Sequence, residues 1–109
     1  MEVFKPISDF PGYTISNLGN VFSEKTNRAL SPYLNATGYL YINLLHEKKN
    51  HCLRLHRLVA KEHVPGRTAE RNIVDHINEN RQDPTATNLR WCTQSENMRY
   101  YWNNRRRQN

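Results

Sequence analysis

The apolar residues of this chain occur in short stretches separated by turn-forming residues, and this punctuation limits it to small strands and short helices. The first breaks come at Pro11-Gly12, Asn17 and Gly19-Asn20, and glycine and proline are the strongest interrupters of regular structure. Gly19 sits where a hairpin turn is expected, and the backbone there can approach a groove or a partner closely because glycine has no Cβ. With a second turn expected at 25–28, the N-terminal part is predicted to be a small antiparallel sheet.

The middle of the chain carries a strand pair followed by a helix. Alternate positions of residues 39–44 are apolar, which is the period of a half-buried strand, and this strand is expected to pair with residues 51–55. The apolar spacing then changes to three and four residues. That change predicts a short helix over residues 56–63, which ends before Pro65.

Two short strands flank a polar loop in the second half, and a helix follows them. The strands are predicted at 73–76 and 88–92, with nearly all of residues 77–87 polar. Thr93 and Glu96 have the spacing of a capping box, in which each side chain bonds the backbone amide of the other residue and marks a helix start.

Several apolar side chains of this region are predicted to be buried. Leu89, Trp91, Met98 and Trp102 are expected to form the core of the strand and helix unit and not to stack on bases, although Trp102, which lies farther out, suits either role. Cys52 and Cys92 belong to no Cys-x-x-Cys pair, so a thiolate zinc site is disfavoured and both are predicted to be buried free thiols.

Net charge indicates the kind of partner. The 109 residues carry a formal charge of +6 with 37% hydrophobic content, which favours a polyanionic partner and only a modest core. Residues 1–50 have five basic and four acidic side chains, and residues 51–109 have eleven and six. A phosphate-binding face is therefore expected in the second half. No apolar run approaches a membrane span and the acidic N-terminus is unlike a signal peptide, so a soluble cytoplasmic protein is expected.

Four polar residues of the second half have a chemically distinctive order: Asp75, His76, Asn88 and Asn97. A carboxylate and an amide oxygen suit a hard divalent ion such as magnesium or manganese. A histidine beside them suits proton abstraction from water, since its ordinary pKa lies near neutral pH. Successive strand residues point to opposite faces, so Asp75 and His76 can serve one site only where the backbone leaves the strand.

These residues resemble a known family. The stretch Val74-Asp75-His76-Ile77-Asn78, with Asn88-Leu89-Arg90-Trp91 and Glu96-Asn97, resembles the motif of HNH endonucleases, in the subgroup of phage and intron homing enzymes. Residues 55–60 resemble the helix that precedes this motif. Residues 7–23 resemble a modular DNA-binding motif fused to the N-terminus of such nucleases.

The resemblance implies an α+β fold in two units. Residues 1–50 would form a small antiparallel β-sheet module that binds DNA, and residues 51–109 a ββα-metal nuclease unit with a basic C-terminal helix. The implied partner is double-stranded DNA, bound by a monomer or weak dimer. The implied location is the cytoplasm, that of the host cell if the chain is phage-encoded.

The resemblance also assigns roles to single residues. His76 would be the general base, Asp75 and Asn97 would hold one divalent ion, and Asn88 would hold the loop and orient the histidine. Asparagine at 97, where the family name implies histidine, favours Mg²⁺ or Mn²⁺ over zinc or nickel. Glu79 stands where relatives often have glycine, and it either stiffens the loop or adds a carboxylate near the ion.

The function implied is a metal-dependent DNA endonuclease that hydrolyses phosphodiester bonds and nicks one strand per engagement. The alternatives are a DNA-binding module without catalysis and a nonspecific nuclease acting on DNA or RNA. Basic and polar residues predicted to contact DNA are Arg90, Arg99, Arg105, Arg106 and Arg107 in the second half, and Asn17, Asn20, Lys25 and Arg28 on the N-terminal turns.

Overall fold

The computed structural model of the chain describes residues 1–108, with side chains described through residue 103. Its described part is an α+β fold with three antiparallel sheets and two helices. In chain order the elements are β1 (Phe4–Pro6), β2 (Tyr13–Ser16), β3 (Val21–Ser23), β4 (Arg28–Leu30), β5 (Tyr33–Leu34), β6 (Leu40–His46), β7 (Lys49–Arg54), α1 (Leu55–His63), β8 (Ile73–His76), β9 (Leu89–Cys92) and α2 (Gln94–Gln108).

The predicted N-terminal sheet is confirmed. Strands β1 to β4 follow one another in sheet order, each antiparallel to the next. The β2–β3 hairpin pairs Ile15 with Val21, and its turn contains Gly19 at a φ of 94°. The β3–β4 turn contains Asn27 at a φ of 54°, a conformation that asparagine tolerates better than most residues. In both hairpins, the residue types in the turns therefore suit the backbone conformation that the strand pairing requires.

The predicted strand pair in the middle of the chain is also confirmed and is longer than expected. Strand β6 lies between β5 and β7, and its register places Ile42 opposite Leu53. The β6–β7 turn consists of Glu47 and Lys48, both with positive φ, which is the geometry of a two-residue hairpin turn that follows the twist of the strands. The predicted boundary between the two units, after residue 50, falls inside β7.

One hydrophobic core contains side chains from both the N-terminal and the C-terminal parts of the chain. Helix α1 supplies Leu55, Leu58, Val59 and Ala60, all buried. The rest of the buried cluster consists of Ile7, Ile15, Val21, Ile42, Leu44, Leu89 and Trp91. Residues from both predicted units therefore share this core, and the organisation into units 1–50 and 51–109 stays a prediction.

Polar contacts add to this packing and tie α1 to the N-terminal sheet. The amide of Ser8 donates to Oε2 of Glu62 at 3.1 Å, and Nε2 of His63 lies 2.8 Å from the carbonyl oxygen of Ile15. Lys61 forms an ion pair with Asp9. The sheet is thus attached to the helix by hydrogen bonds at its rim as well as by apolar contacts inside.

The strand, loop, strand and helix of the second half occur where the sequence predicts them. Strands β8 and β9 pair antiparallel, with His76 opposite Leu89. The capping box is confirmed, because the amide of Thr93 donates to Oε1 of Glu96 at 2.9 Å and the amide of Glu96 donates to the Thr93 hydroxyl at 3.1 Å. Glu96 also forms a 2.7 Å ion pair with Arg71.

The predicted burial of apolar residues is right for the strand and wrong for the helix. Leu89 and Trp91 are buried, and the indole of Trp91 donates to the carbonyl of Val64 at 2.9 Å. Met98 and Trp102 are more than half exposed. They line an open groove on the surface of α2, since the helix lies against β8 by its other side.

Both cysteines are free, in agreement with the sequence. Cys92 is buried, whereas the prediction of burial is wrong for Cys52, which is exposed. The reason is local, because Cys52 lies on the outer face of β7 with its sulfur 2.8 Å from the hydroxyl of Tyr33.

The close approach expected at Gly19 occurs within the chain. A Cβ at this position would lie 2.6 Å from Cγ of Pro84, and the carbonyl of Asn17 accepts a hydrogen bond from the amide of Ala86 at 2.8 Å. The β2–β3 turn therefore packs directly against the polar loop between β8 and β9, and the missing side chain of Gly19 makes room for that loop.

Gly19→Ala is expected to destabilise the fold by more than Gly66→Ala. Both glycines have a positive φ, but a Cβ at Gly66 would meet nothing within 4 Å, so Gly66→Ala isolates the backbone strain of about 1 kcal/mol. Gly19→Ala adds a steric clash worth roughly 1 to 3 kcal/mol. Urea unfolding of the two variants measures the difference, and equal free energies of unfolding would contradict the packing against Pro84.

Candidate active site

A cavity of about 670 Å³ opens where β8, α1, α2 and the segment before β6 meet. It brings together three of the residues predicted for the site, Asp75, His76 and Asn97. The cavity is lined, in addition, by Tyr39, Arg54, His56, Arg57, Glu79 and Arg81, among others. Acids, amides, histidines and arginines thus converge on one surface depression.

His76 is the last residue of β8 and is only 7% exposed. The strand stops there because the amide of Glu79 donates to the carbonyl of His76 at 2.9 Å and closes a turn. Within the described part of the chain, Nε2 of His76 is buried without a hydrogen-bond partner. Burial lowers the pKa of His76, and the nearby Asp75 carboxylate opposes this effect. The imidazole is therefore neutral near pH 7, the state in which it can accept a proton.

Asp75 is paired with a residue of the neighbouring strand. Nε of Arg90 donates to Oδ2 of Asp75 at 2.9 Å, as the β8–β9 register places the two residues opposite each other. The guanidinium also lies 3.5 Å from the ring centroid of Tyr100. Arg90 is thus engaged by a carboxylate and an aromatic face, and its contact with DNA stays a prediction. In the sequence, this ion pair could be predicted only from the register in which the two predicted strands pair.

Asn88 joins the two ends of the polar loop. Its side-chain oxygen accepts from the amide of Asn78 at 2.9 Å, and its side-chain nitrogen donates to the carbonyl of Asp83 at 3.1 Å. Its backbone carbonyl accepts from the amide of Ile77 at 2.8 Å. Because the loop starts directly after His76, these bonds restrict the backbone that carries the histidine.

Side chains within the loop satisfy the loop's own amides, which explains how so polar a segment is ordered. Asn78 accepts from the amide of Asn80, and Asn80 in turn accepts from the amide of Gln82. Oδ1 of Asp83 accepts from the hydroxyl of Thr85 at 2.6 Å, and this bond lowers the pKa of Asp83. Asparagine and aspartate are suited to such turns because their short side chains reach backbone amides nearby.

Two features of Glu79 bear on the alternatives that the sequence leaves open. Its φ of 63° places it in the left-handed region, where glycine is unstrained and a side chain is not. Its side chain also lines the cavity. The departure from glycine therefore adds strain to the turn and a carboxylate to the cavity wall.

Two rings that the sequence does not assign to the site lie against His76. The ring centroid of His56 is 4.7 Å from that of His76, and the ring of Tyr39 is 5.9 Å away. His56 is predicted to be a packing residue or one that contacts a residue of the site, and it is 5% exposed, with Nδ1 buried and without a partner among the described residues. Burial, reinforced by the proximity of His76, lowers the pKa of His56 to about 3.

Two arginines of the cavity wall are likewise missed by the sequence analysis. The guanidinium carbons of Arg54 and Arg81 lie 5.3 and 4.8 Å from the ring centroid of Tyr39. Each stands alone among dissimilar neighbours in the sequence, so neither carries a local signal. Only the folding of β7 and of the polar loop onto Tyr39 brings them to the cavity.

Two of the four residues predicted to contact DNA from the N-terminal turns are engaged within the protein. Oδ1 of Asn17 accepts from the amide of Val3 at 2.7 Å, and the side chain of Asn20 donates to Glu2. Those bonds hold the N-terminal residues against the β2–β3 turn. Lys25 and Arg28 are exposed, and their contact with DNA stays a prediction.

The predicted basic surface of the last helix is only partly described. Arg99 is exposed on α2 and borders the groove formed with Met98 and Trp102. The backbone of Arg105, Arg106 and Arg107 belongs to α2, and their side chains lie outside the described residues.

Comparison with known proteins places this geometry in a defined class. A family model described as HNH endonuclease matches residues 53–99, and a model of the NUMOD4 motif matches residues 2–44. A solved structure titled "DNA binding and cleavage by the HNH homing endonuclease I-HmuI" superimposes with a TM-score of 0.88 at 32% identity, over 94% of this chain and 59% of that one.

Curated relatives agree with the family models. DNA endonuclease I-HmuI of Bacillus phage SP01 is 36% identical over 96 residues, which is 87% of this chain and 55% of that protein. H-N-H endonuclease F-TflII of Escherichia phage T5 is 35% identical over 91 residues, 82% of this chain and 47% of that protein. The chain spans from 23% to 55% of the length of the curated relatives it matches.

Residues 53–99 belong to the HNH endonuclease family, and residues 2–44 carry a NUMOD4 motif. HNH nucleases generally use a divalent metal ion. The residues present fit such an ion, because the Asp75 carboxylate and the Asn97 amide line the same cavity and supply the oxygen donors that hard cations prefer. No helix among the described residues has the length and apolar character needed to cross a membrane.

The free energy of unfolding is expected to fall as the pH is lowered from about 6.5. The unfolded chain protonates His56 near its ordinary pKa, whereas the folded chain does so only near a pKa of about 3. Between these values the unfolded state binds more protons, so stability rises with pH, by up to about 5 kcal/mol over the full interval.

His56→Leu is expected to reduce this slope, because leucine removes the titrating group and keeps an apolar contact. Urea unfolding between about pH 7 and about pH 5 avoids the range in which carboxylates titrate. An equally steep slope in the wild type and the variant would contradict a buried neutral His56.

Proposed function

We propose that this chain is a metal-dependent DNA endonuclease that hydrolyses phosphodiester bonds and nicks one strand per engagement. The observation that carries the proposal is the placement of Asp75, His76 and Asn97 on the wall of one cavity. The relatives support it, because two are named phage HNH endonucleases and one a DNA endonuclease. The substrate proposed is double-stranded DNA, bound by a monomer or weak dimer.

His76 is proposed as the general base. A neutral imidazole can accept a proton from water as the water attacks phosphorus, and burial keeps His76 neutral at working pH. Loss of this proton transfer costs about 10²- to 10⁴-fold in rate. The nearby Asp75 carboxylate favours the imidazolium that forms, since an opposite charge stabilises the protonated state.

Asp75 and Asn97 are proposed to hold one divalent ion, Mg²⁺ or Mn²⁺. When bound, such an ion supplies charge stabilisation for the phosphate and the leaving oxygen. Arg90 donates to Oδ2 of Asp75 and so holds the carboxylate in one orientation. When an arginine binds one carboxylate oxygen, the other oxygen stays available as a metal ligand.

Asn88 is proposed to act through the backbone. Its three hydrogen bonds to Asn78, Asp83 and Ile77 close the loop that begins after His76. A rigid loop keeps the histidine at one position relative to the cavity, and misplacement by about 1 Å can cost 10²-fold in rate.

Basic side chains of both the N-terminal and the C-terminal parts of the chain are proposed to bind phosphates. Arg99 and Lys25 are exposed, and arginines and lysines on a surface release counterions from DNA as they bind it. The other proposed contacts are Arg28, Arg90 and the three arginines 105–107. Asn17 and Asn20 are also proposed to contact DNA, and their side chains in addition bond Val3 and Glu2 within the protein.

His76→Ala is expected to abolish turnover and to leave DNA affinity within a few fold, because a general base contributes in the transition state and little in the ground state. The measurement is conversion of supercoiled plasmid to nicked circles under single-turnover conditions with magnesium, manganese or EDTA. His46→Ala is the matched control, since His46 lies at the end of the β6–β7 hairpin.

The same assay separates the alternatives. Intact plasmid with retained DNA binding for the wild type would support a DNA-binding module without catalysis. Equal cleavage of RNA and of unrelated DNA would support a nonspecific nuclease. Equal loss of binding and turnover in His76→Ala would indicate a structural role for the histidine.

Asp75→Ala and Asn97→Ala are expected to raise the magnesium concentration needed for half-maximal nicking by at least about tenfold, because each removes one oxygen donor. Binding of Mn²⁺, followed by electron paramagnetic resonance, gives the same comparison without cleavage. Asp9→Ala is the control, since Asp9 forms its ion pair with Lys61 outside the cavity. Unchanged metal affinity in both variants would remove the two residues from the ligand set.

A further inference from the structure

Tyr39 belongs to the N-terminal part of the chain, and its ring lies against both histidines of the cavity. It stands between β5 and β6, with its ring centroid 5.9 Å from that of His76 and 5.1 Å from that of His56. The histidine rings are 4.7 Å apart. The three rings therefore form one mutually packed cluster, and one of its members comes from outside the HNH motif.

Two arginine side chains hold Tyr39 in this position, and one of them also bonds the turn before it. Arg81 lies 4.8 Å and Arg54 5.3 Å from the ring centroid, distances at which a guanidinium is attracted to an aromatic face. Nη1 of Arg81 also donates to the carbonyl of Thr37 at 2.9 Å. Because Arg81 lies on the polar loop that follows His76, it joins that loop to the turn preceding Tyr39.

The orientation of the His76 ring depends on this packing. Nε2 of His76 is buried and has no hydrogen-bond partner among the described residues, so no hydrogen bond through that atom fixes the ring. Nδ1 of His56 is likewise buried without a hydrogen-bond partner among the described residues. The rings of His56 and Tyr39 contact the imidazole and restrict its rotation, and Tyr39 comes from the segment between β5 and β6.

We propose that Tyr39, held by Arg81, is a positioning residue that orients His76 for proton abstraction, so that the N-terminal part of the chain completes the catalytic site as well as binding DNA. This inference rests on the proposed nuclease function. The ring of Tyr39 carries the effect through its packing, and its hydroxyl is dispensable.

The experiment compares Tyr39→Leu, Tyr39→Phe and a matched control, Tyr33→Leu, in the full chain. Tyr33 lies in β5 of the same sheet and contacts Tyr41 and Cys52. Single-turnover nicking of plasmid is measured beside the Kd for a DNA duplex. Tyr39→Leu is expected to lower the rate about 10- to 100-fold with Kd within threefold, whereas Tyr39→Phe and Tyr33→Leu stay within threefold in both.

Several results would overturn the inference. A Tyr39→Leu rate equal to that of the wild type would do so, as would a loss in Tyr39→Phe as large as in Tyr39→Leu, because the hydroxyl would then carry the effect. If Tyr39→Leu fails to fold, Arg81→Gln tests the same contact from an exposed side chain. A lower rate with Kd preserved supports positioning, and unchanged cleavage overturns it.

A measurement independent of cleavage keeps this inference separate from the proposed function. In histidine-labelled protein, NMR is expected to show cross-relaxation between the rings of Tyr39 and His76 and scalar couplings of a single His76 χ1 rotamer. Tyr39→Leu is expected to average those couplings. Wild-type protein that does not nick DNA defeats the proposed function alone, whereas unchanged couplings in Tyr39→Leu defeat the positioning role alone.

Discussion

The structure depends on the burial of α1 at the centre of a single core. Leu55, Leu58, Val59 and Ala60 are removed from water on the helix face that meets the N-terminal sheet, the β6–β7 pair and the β8–β9 unit. Each fully buried large side chain contributes about 1.5 to 3 kcal/mol. In a chain of 109 residues with a modest apolar content, α1 packs against strands of all three sheets, and it thereby sets how the elements that carry the cavity residues lie relative to one another.

Polar contacts fix the loop that follows His76 on this packed core. Asn88 closes the loop after His76, and the β2–β3 turn packs against the same loop through Gly19 and Pro84. The loop is thus held both by the hydrogen bonds that join its two ends and by contact with the N-terminal sheet. Buried polar groups with satisfied hydrogen bonds rigidify their surroundings. His76 and His56 each have a buried nitrogen without a partner among the described residues, and their rings pack against each other.

Much of this arrangement could be predicted because its signals are local. The alternation in residues 39–44, the capping box of Thr93 and Glu96, and the turn at Gly19 each depend on neighbours a few residues away, and all three are confirmed. The expected burial of Met98 and Trp102 is wrong. Their helical spacing does not reveal whether another element covers that face of α2, since burial depends on packing between distant parts of the chain.

The sequence by itself determined the elements, their order and the chemical types available at the site, because backbone preference and side-chain chemistry are properties of short segments. Only the tertiary structure decided which residues share the cavity. Tyr39 and Arg54 line the same cavity as His76 from 37 and 22 residues away along the chain, and Arg81 bonds Thr37 across 44 residues. Contacts at such separations depend on how the sheets pack around α1, and no pattern within one segment contains that information.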